Sequence, residues 1–381
     1  MNRPTILVVD TQLDGHHVLW LNMVGAVLLE QGYSVILLVN HNVSEVLRRL
    51  DLLDSKFSQL VTVVPTQYPK KIALKRYWNE IVDVFLDYQC QEVIFNNFDT
   101  IASKVFRFSV FGIRPPAILR NKMSIIYHRP RPLDQTQGGL GNFWKRLGWR
   151  KLVRAGYFKY IWLLDQYLVD EVKKIDGVNC RFIPDPWRIS LQISPPAEIH
   201  TIDPDQIYLL QYGVGDKRKG SELLLKALLK ASNQRVHVWL AGKQKDPEIL
   251  TLANQLLSRG QLTLLDRYIS DEEESWLFSN CTWVTLPYLS HYGSSNLLSK
   301  AAKFCKPVIA SDFHLIGRNV STNNLGLVFR DRSVDELAVV LTKLDRQHEQ
   351  FSVAALHKFA DKYSFTCFKA ALAANFPKVN L

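Results

Sequence analysis

Short apolar, β-branched runs alternate with longer segments of helical periodicity along most of this chain. In the first half the runs predict strands at Thr5–Asp10, Ser34–Val39, Val61–Val64, Glu92–Asn96, Ser124–His128 and Tyr160–Leu164. Between the first two of these, residues 18–31 have the pattern of a helix that Gly32 closes as a C-cap. This alternation is typical of β-α-β units and therefore predicts a parallel sheet.

The pattern lapses after Pro186 and resumes at Ile207 with a second series. Its predicted strands are Ile207–Tyr212, Arg235–Ala241, Gln261–Leu265, Thr282–Leu286, Pro307–Ser311 and Gly326–Phe329, with helices at Ser221–Lys230, Pro247–Ser258, Asp271–Ser279 and Asn296–Phe304. We therefore predict an α/β protein with two Rossmann-like, doubly wound domains that face a central cleft. The predicted boundaries are a first domain over 1–190, a linker over 191–206, a second domain over 207–345 and a helical tail over 346–381 that crosses back to the first domain. Ligands of such folds bind at the carboxyl ends of the strands.

The loop after the first strand of the second series is rich in glycine and basic residues. It runs from Tyr212 to Gly220 and contains Gly213, Lys217 and Lys219. Glycines allow the backbone to approach a ligand, and the lysines offer charge-assisted bonds to a diphosphate. A solvated basic turn before a helix explains the same residues, so the pattern leaves both interpretations open.

A second loop follows the strand Thr282–Leu286 and opens the next helix. Its residues Gly293, Ser294, Ser295 and Asn296 would present backbone N–H groups and hydroxyls at a helix N-terminus, where the helix dipole favours an anion. A serine that merely caps its own helix is the alternative. Both loops belong to the same predicted domain, so they are expected to converge on one diphosphate.

Two further positions lie where an α/β protein places its chemistry. Gly15 and His16 stand between the first strand and the first helix, and the adjacent His17 points another way, so a shared metal is disfavoured. His128 ends a strand just before Pro130. A surface histidine with an ordinary hydrogen bond is the alternative interpretation of His128.

Four motifs in the second half carry a resemblance to a known family. In chain order they are Gly213–Gly220, Leu240–Gly242, Tyr268–Glu273 and Lys306–Asp312. They are similar to the Gly-x-x-x-x-x-Lys-Gly element, the next glycine turn, Tyr-Val-Ser-Asp-Glu-Glu and Lys-Pro-Val-Ile-Ala-Ser-Asp of the group 1 family, which are retaining nucleotide-sugar glycosyltransferases with the GT-B fold. The first half resembles the family only in outline, at the strand–Gly15–helix start and at His128.

The resemblance implies transfer of a hexosyl group from a nucleoside-diphosphate sugar to a glycan or lipid-linked acceptor, with retention, in polysaccharide biosynthesis. It implies no metal and no cofactor beyond the donor substrate. His128, beside the sugar, and Lys219, at the diphosphate, are the expected catalytic residues. The resemblance assigns the donor to the second domain and the acceptor to the first. The expected donor-binding residues are Gly15, His16, Gly213, Lys217, Lys219, Arg267, Tyr268, Gly293, Ser294, Ser295 and Asn296.

The chain departs from the family pattern at its glutamates. The family carries two glutamates eight positions apart, and alignment on Pro307 places Tyr292 and Lys300 there. The second glutamate of the family holds the donor ribose, and a lysine cannot accept hydrogen bonds from ribose hydroxyls. Either another group supplies this contact, the donor differs, or the site is impaired. A non-catalytic relative that binds a nucleotide sugar or a partner enzyme is therefore an alternative function, and a nucleotide-sugar epimerase of the same fold is another.

The family's arginine before its Lys-Gly is also missing. Val214 occupies that position here. Arg267 and Lys217 are the candidate replacements for the absent positive charge.

Composition adds a constraint on the compartment. The chain has 381 residues with 47% hydrophobic and 22% charged residues, as in globular proteins. Its five cysteines are scattered, without a Cys-x-x-Cys pair, which favours reduced thiols in the cytoplasm. The first residues lack a signal-peptide core, and no run of about 18 apolar residues predicts a membrane span.

The charge is the unusual feature, because the net value is +11. Residues 1–190 hold 25 Lys+Arg against 17 Asp+Glu, so most of the excess lies in the first half. Residues 135–164 hold six basic residues and no acid, interleaved with aromatic ones. Such a segment suits the anionic inner face of a membrane, although a basic rim over a buried aromatic core explains it as well. Nucleic acid is disfavoured because no known binding module accompanies the charge.

Overall fold

The computed structural model describes residues 3–10, 12, 16–39, 42–51, 61–66, 73–345 and 351–379. By its internal contacts the chain divides into two units. Unit 1 is Met1–Ile183 together with Thr366–Leu381, and unit 2 is Pro184–Phe365. The domain boundaries and the central cleft that the sequence suggests stay predictions.

The described strands form two sheets. In chain order they are β1 (Thr5–Asp10), β2 (Ser34–Val39), β3 (Val61–Pro65), β4 (Glu92–Phe95), β5 (Met123–Tyr127), β6 (Phe158–Leu163), β7 (Cys180–Phe182), β8 (Ile207–Tyr212), β9 (Val236–Ala241), β10 (Leu262–Leu265), β11 (Trp283–Leu286), β12 (Val308–Ser311) and β13 (Gly326–Phe329). The order is β3-β2-β1-β4-β5-β6-β7 in unit 1 and β10-β9-β8-β11-β12-β13 in unit 2. All the pairings within these sheets are parallel.

Helices connect these strands. In chain order they are α1 (His16–Glu30), α2 (Val43–Asp51), α3 (Leu74–Asp87), α4 (Asp99–Val110), α5 (Leu140–Arg154), α6 (Gln166–Asp176), α7 (Ser221–Lys230), α8 (Pro247–Ser258), α9 (Asp271–Asn280), α10 (Asn296–Lys303), α11 (His314–Thr322), α12 (Val334–Thr342), α13 (Val353–Lys362) and α14 (Phe365–Ala373). The strand order reverses between β1 and β4 in unit 1, and between β8 and β11 in unit 2. The carboxyl ends of these strand pairs are the switch points at which doubly wound folds bind ligands.

The C-terminal segment completes the core of unit 1. Phe368 of α14 packs edge-on against Trp20 of α1 at 5.2 Å between ring centroids, and Phe376 stacks on Trp162 of β6 at 6.2 Å. All four rings are almost fully buried. A backbone hydrogen bond also holds the last residues, because the Val379 N–H donates to the Gln31 carbonyl at 2.8 Å.

The structure confirms the predicted pair of doubly wound parallel sheets. Most predicted elements agree with the observed ones to within two residues, since burial on both faces makes parallel strands read as apolar runs. The sequence analysis missed β7, which has three residues and pairs only with β6. So short a strand has too few positions for an apolar run or an alternation to stand out.

Candidate functional site

Two loops of unit 2 meet at the carboxyl end of β8. The chain leaves β8 through Gly213, which adopts φ 108°, and its N–H donates to the Ala241 carbonyl at 2.9 Å. A short 3-10 turn then covers Lys217–Lys219, and the Asp216 carboxylate caps it by accepting from the Lys219 N–H at 3.0 Å. Gly220 ends this turn in the left-handed region and is the N-cap residue of α7.

Gly220 allows the two loops to touch through their backbones. A Cβ at this position would lie 1.8 Å from the Pro287 carbonyl oxygen, in addition to the strain of φ 71°. Next to this contact the Leu289 N–H donates to the Arg218 carbonyl at 2.9 Å. The loop after β8 and the loop after β11 are therefore held together as one rim.

The Lys219 side chain lies at the centre of this rim. Its Nζ donates to the Tyr288 hydroxyl at 2.6 Å and is 4.4 Å from the centroid of the same ring. The Tyr288 hydroxyl in turn lies 3.4 Å from Ser295 Oγ, at the start of α10. Ser295 is the N-cap residue of α10, yet its side chain makes no capping hydrogen bond. The structure thus brings a cation to a helix N-terminus whose N–H groups lack a side-chain cap.

The other residues that the sequence predicts for donor binding in these two loops lie at the start of α10 and on the 3-10 turn. Gly293 adopts φ 140°, and Asn296 is the first residue of α10. Ser294 Oγ donates to the Asp185 carboxylate at 3.3 Å. Lys217 is exposed on the 3-10 turn. All of them belong to the two loops that form the rim around Lys219.

Arg267 is engaged elsewhere in unit 2. Its guanidinium donates to Glu198 and to Glu273, each at 2.7 Å, and these two carboxylates raise the pKa of Arg267. The neighbouring Tyr268 side chain is 81% exposed. The described contacts of Arg267 are thus with structural carboxylates and not with the two loops that surround Lys219.

Lys300, which the alignment on Pro307 matches to the family's second glutamate, forms a buried ion pair. Its Nζ lies 2.6 Å from Oε1 of Glu274 in α9, and the two side chains are 8% and 10% exposed. The Tyr212 hydroxyl also donates to Glu274, and the Lys300 amine lies 5.8 Å from the centroid of the Phe278 ring. Burial raises the pKa of the Glu274 carboxyl, while the Lys300 charge and hydrogen bond oppose that rise. The chain therefore carries a carboxylate at this place, from a different helix.

The sequence analysis missed Glu274, although the sequence holds a signal for it. Glu274 precedes the core residues Leu277 and Phe278 by three and four positions, so all three share one face of α9. At the position of the first family glutamate, the Tyr292 side chain is buried and lies 3.8 Å from the His314 ring, centroid to centroid.

His128 lies at the carboxyl edge of unit 1, directly after β5. Its N–H donates to the Asp99 carboxylate at 2.8 Å, and Nε2 lies 3.2 Å from the Asn96 carbonyl oxygen. The Trp20 ring packs against the imidazole at 4.6 Å between centroids. Burial raises the pKa of Asp99, and the Arg129 charge and the two backbone donors oppose that effect. Two sides of the half-buried His128 ring are thus held by the protein.

A buried polar cluster beside His128 went unnoticed in the sequence. The Asp10 carboxylate, at the end of β1, lies 3.0 Å from His17 Nδ1 and accepts from Asn96 Nδ2 at 2.6 Å. The other imidazole nitrogen of His17 lies 3.3 Å from Asn97 Nδ2. An acid that ends a fully apolar strand is the signal that could have found it. The cluster joins the ends of β1 and β4, which is the switch point of this sheet.

The predicted site residues Gly15 and His16 lie at the start of α1, where the structure describes little of them. Gly15 lies outside the described residues, and His16 begins α1 with a side chain outside them. The described residues contain no group of three or more His, Cys, Asp or Glu side chains placed to hold a metal. The chain's one Asp-x-Asp sequence, Asp203-Pro204-Asp205, is a turn in which the Asp205 N–H donates to Asp203 Oδ1 at 2.8 Å. No helix in the described part of the chain is long and apolar enough to cross a membrane.

Comparisons with known proteins agree with this architecture. Residues 196–351 match the family described as glycosyl transferases group 1. HepE from Anabaena, solved with UDP and glucose, has 15% identity and a TM-score of 0.66 over 98% of this chain and 99% of its own. Sucrose-phosphate synthase from Thermosynechococcus elongatus has 12% identity and a TM-score of 0.67 over 98% of both chains. WaaG, a glycosyltransferase involved in lipopolysaccharide biosynthesis, has 12% identity and a TM-score of 0.63 over 97% and 98%. No curated protein matches the sequence.

Proposed function

We propose that this group 1 glycosyltransferase with the GT-B fold moves a sugar from a nucleoside-diphosphate sugar to a glycan or lipid-linked acceptor. One observation carries the proposal: the Lys219 cation lies 2.6 Å from the Tyr288 hydroxyl, which is 3.4 Å from Ser295 Oγ at the N-cap of α10. Stabilisation of the negative charge that develops on a departing diphosphate is usually the largest contribution to catalysis, and a preorganised cation supplies it. The UDP in the HepE structure belongs to the same chemical class of ligand.

The diphosphate is assigned to the rim formed by the two loops. Lys219 supplies a charge-assisted hydrogen bond, and the first N–H groups of α10 supply the positive end of a helix dipole. Gly213 and Gly293 leave the backbone free of side chains at the edges of this rim. These groups would stabilise the leaving diphosphate, and we propose that the reaction needs no metal ion and no cofactor beyond the donor.

We assign the donor ribose to Glu274. Lys300 has donors only, so it cannot accept from ribose hydroxyls. The Glu274 carboxylate lies 2.6 Å from the Lys300 amine and has the acceptor oxygens that a ribose requires. Exchange of the family's glutamate for a lysine is thus compensated by a glutamate on α9. The carboxylate that accepts from the ribose would thus come from α9, while α10 contributes the lysine that pairs with it.

His128 is assigned to the transferred sugar, with retention of the anomeric configuration. The ring is fixed by Asn96 and Trp20 at the carboxyl edge of unit 1. Polysaccharide biosynthesis is the proposed context of the acceptor, which is also the kind of process in which WaaG takes part.

The first experiment measures UDP affinity by isothermal titration calorimetry with EDTA present. Lys219→Met removes a hydrogen bond from a charged donor, worth about 1.5–3 kcal/mol, so the affinity should fall by about 10- to 150-fold. Lys230→Met is the matched control, because Lys230 is an exposed residue of α7 that pairs with Asp335. Equal UDP affinity of the Lys219 variant and the control would contradict the diphosphate assignment.

The second experiment tests transfer and its stereochemistry. A panel of nucleoside-diphosphate sugars is incubated with oligosaccharide and lipid-linked acceptors, and the anomeric proton of the product is read by NMR. A product with the donor's configuration is expected, and an inverted product would contradict retention.

A non-catalytic binding protein is the second candidate, since Tyr292 and Lys300 replace both family glutamates. It predicts nucleotide binding without transfer to any acceptor. An epimerised nucleotide sugar formed without acceptor would instead identify the epimerase alternative.

A further inference from the structure

His291, in the loop after β11, has a hydrogen-bond partner at each nitrogen of its ring. Its Nδ1 lies 2.8 Å from Nη1 of Arg218, in the loop after β8. Its Nε2 lies 3.1 Å from the carbonyl oxygen of Ser294, which directly precedes the N-cap residue Ser295 of α10. The imidazole therefore ties the Arg218 side chain to the segment that begins α10.

These two partners determine the protonation state of the ring. A guanidinium has only hydrogen-bond donors, so Nδ1 of His291 must accept and carries no proton. The Ser294 carbonyl can only accept, so Nε2 must carry the one proton of the ring and donate it. His291 is therefore neutral, in a single tautomer, while it holds Arg218. A second proton on Nδ1 would remove the acceptor and place two cations 2.8 Å apart.

Several charged or titratable groups surround this contact. The Tyr288 ring packs edge-on against the imidazole at 5.3 Å between centroids. One contact further away are Asp216 beside Arg218, Lys219 beside Tyr288, Asp331 and Arg332 beside Ser290, His314 beside Tyr292 and Asp185 beside Ser294. The Asp216 carboxylate is 3.7 Å from Nη2 of Arg218, and both side chains are about half exposed. Water screens so exposed a pair, which leaves the Arg218 charge available to a ligand.

Arg218 also lies where the rim needs a second cation. Val214 stands at the position of the family's arginine, and Arg267, one candidate replacement, is bound to two glutamates. Arg218 directly precedes Lys219, and both side chains contact the loop after β11. A diphosphate carries more than one negative charge, so Lys219 alone leaves part of it without a partner. Because His291 takes only one N–H group of the guanidinium, the others remain for a phosphate oxygen.

We propose that Arg218 is a second diphosphate-binding residue and that neutral His291 is the residue that positions it. The inference rests on the proposed function, because it requires the diphosphate to bind at the rim. A guanidinium that is already fixed loses less conformational entropy when it binds a phosphate. Protonation of His291 releases Arg218, so the nucleotide affinity decreases as the pH falls. If His291 instead bound the diphosphate as a cation, the affinity would increase as the pH falls.

The first test is UDP affinity by isothermal titration calorimetry at pH 8. Arg218→Gln keeps an N–H donor for His291 but removes the charge, so the affinity should fall by about 10- to 150-fold. Arg235→Gln is the matched control, because Arg235 is an exposed arginine of the same unit that lies 3.9 Å from Asp345, and it should leave the affinity unchanged.

The Lys219→Met variant separates this inference from the proposed function. If Lys219→Met weakens UDP binding while Arg218→Gln binds like Arg235→Gln, the role of Arg218 is overturned and the diphosphate assignment stands. If Lys219→Met also binds UDP like its own control, the diphosphate assignment fails, and the inference about Arg218 fails with it.

The second test distinguishes positioning by His291 from a purely structural role. His291→Asn keeps an acceptor oxygen for Arg218 but has no titrating group, so at pH 8 it should bind UDP within about threefold of the unchanged protein. His291→Leu has no acceptor and should bind about 2- to 10-fold more weakly. Equal affinities of the asparagine and leucine variants at pH 8 would overturn the positioning role.

The pH profile gives the sign of the effect. Between pH 8 and pH 5.5, the affinity of the unchanged protein relative to His291→Asn should decrease at least about threefold, because histidines gain their second ring proton in this range. The titration of UDP itself is the same for both proteins and cancels in this ratio. A ratio that stays constant or rises towards acid pH would overturn the proposal.

A spectroscopic test needs no ligand. In long-range proton–nitrogen correlation spectra of protein with labelled histidine, His291 should be protonated at Nε2 alone at pH 8, and its signals are identified by their loss in His291→Asn. A proton on Nδ1 at this pH would overturn the inference, because the ring could not then accept from Arg218. Thermal melts at pH 8 and 5.5 verify that each variant is folded.

Discussion

The buried pair of Lys300 and Glu274 makes the sharpest prediction about stability. Lys300→Met keeps the side-chain length but removes the cation that lies 2.6 Å from Glu274. Glu274 is only 10% exposed, so water replaces the lost partner incompletely. Removal of one partner from such a pair costs about 3–5 kcal/mol. Because the Tyr212 hydroxyl still donates to the carboxylate, we expect the lower end of this range.

The loss should depend on pH with a defined sign. Burial raises the pKa of Glu274, and removal of Lys300 takes away the main opposing influence, so the pKa should rise further. A carboxyl whose folded pKa is raised contributes its full stability below the unfolded pKa and loses it as the pH rises through the folded pKa. The loss of unfolding free energy in Lys300→Met, relative to the unchanged protein, should therefore be largest at pH 8 and shrink towards pH 5.

Melting curves by circular dichroism at pH 5, 6.5 and 8 measure this deficit. The double variant Lys300→Met/Glu274→Leu removes both charges and should recover most of the stability. Lys226→Met, which breaks the exposed pair with Glu222, is the control and should cost less than about 1 kcal/mol. A deficit that grows towards acid pH, or a double variant as unstable as the single one, would refute the reasoning.

Three further predictions concern other parts of the structure. Gly220→Ala should lower the melting temperature and weaken UDP binding, because the new Cβ would clash with the Pro287 carbonyl. Gly260→Ala is the control: Gly260 has φ 68° with open space around it, so this variant should lose only the backbone strain of about 1–2 kcal/mol. Asp10→Asn should destabilise unit 1 by about 1–3 kcal/mol and leave UDP affinity unchanged, as measured by melting and calorimetry, and an unaltered melting curve would contradict the role of the cluster. A thiol reagent should label the native protein at Cys305 and Cys367 only, as measured by peptide mass spectrometry. The other three thiols are buried, and burial raises the pKa of Cys90 to about 11 and the pKa of Cys180 and Cys281 to about 12.

Much of the fold could be predicted from local sequence. The strands β1, β2, β8 and β13 begin and end at the predicted residues, because apolar runs bounded by turn residues define a buried strand. Helix α8 is equally predictable from the Asp246 cap and the proline that follows it. The sequence also singles out the loop residues around Lys219 as candidates, since glycines and serines at strand ends favour a close approach of the backbone to a ligand.

The sequence by itself predicted two doubly wound sheets and the loops on which Lys219 and the start of α10 lie, because these features depend on periodicity and on residues close in the chain. Tertiary structure decided what depends on distant residues. It paired Glu274 with Lys300, joined Asp10 to Asn96, and bound Arg267 to Glu198 and Glu273. It also separated Trp149 in the core from Trp144 on the surface, which composition cannot distinguish. The physical reason is that burial and ion pairing are set by which helix packs on which neighbour.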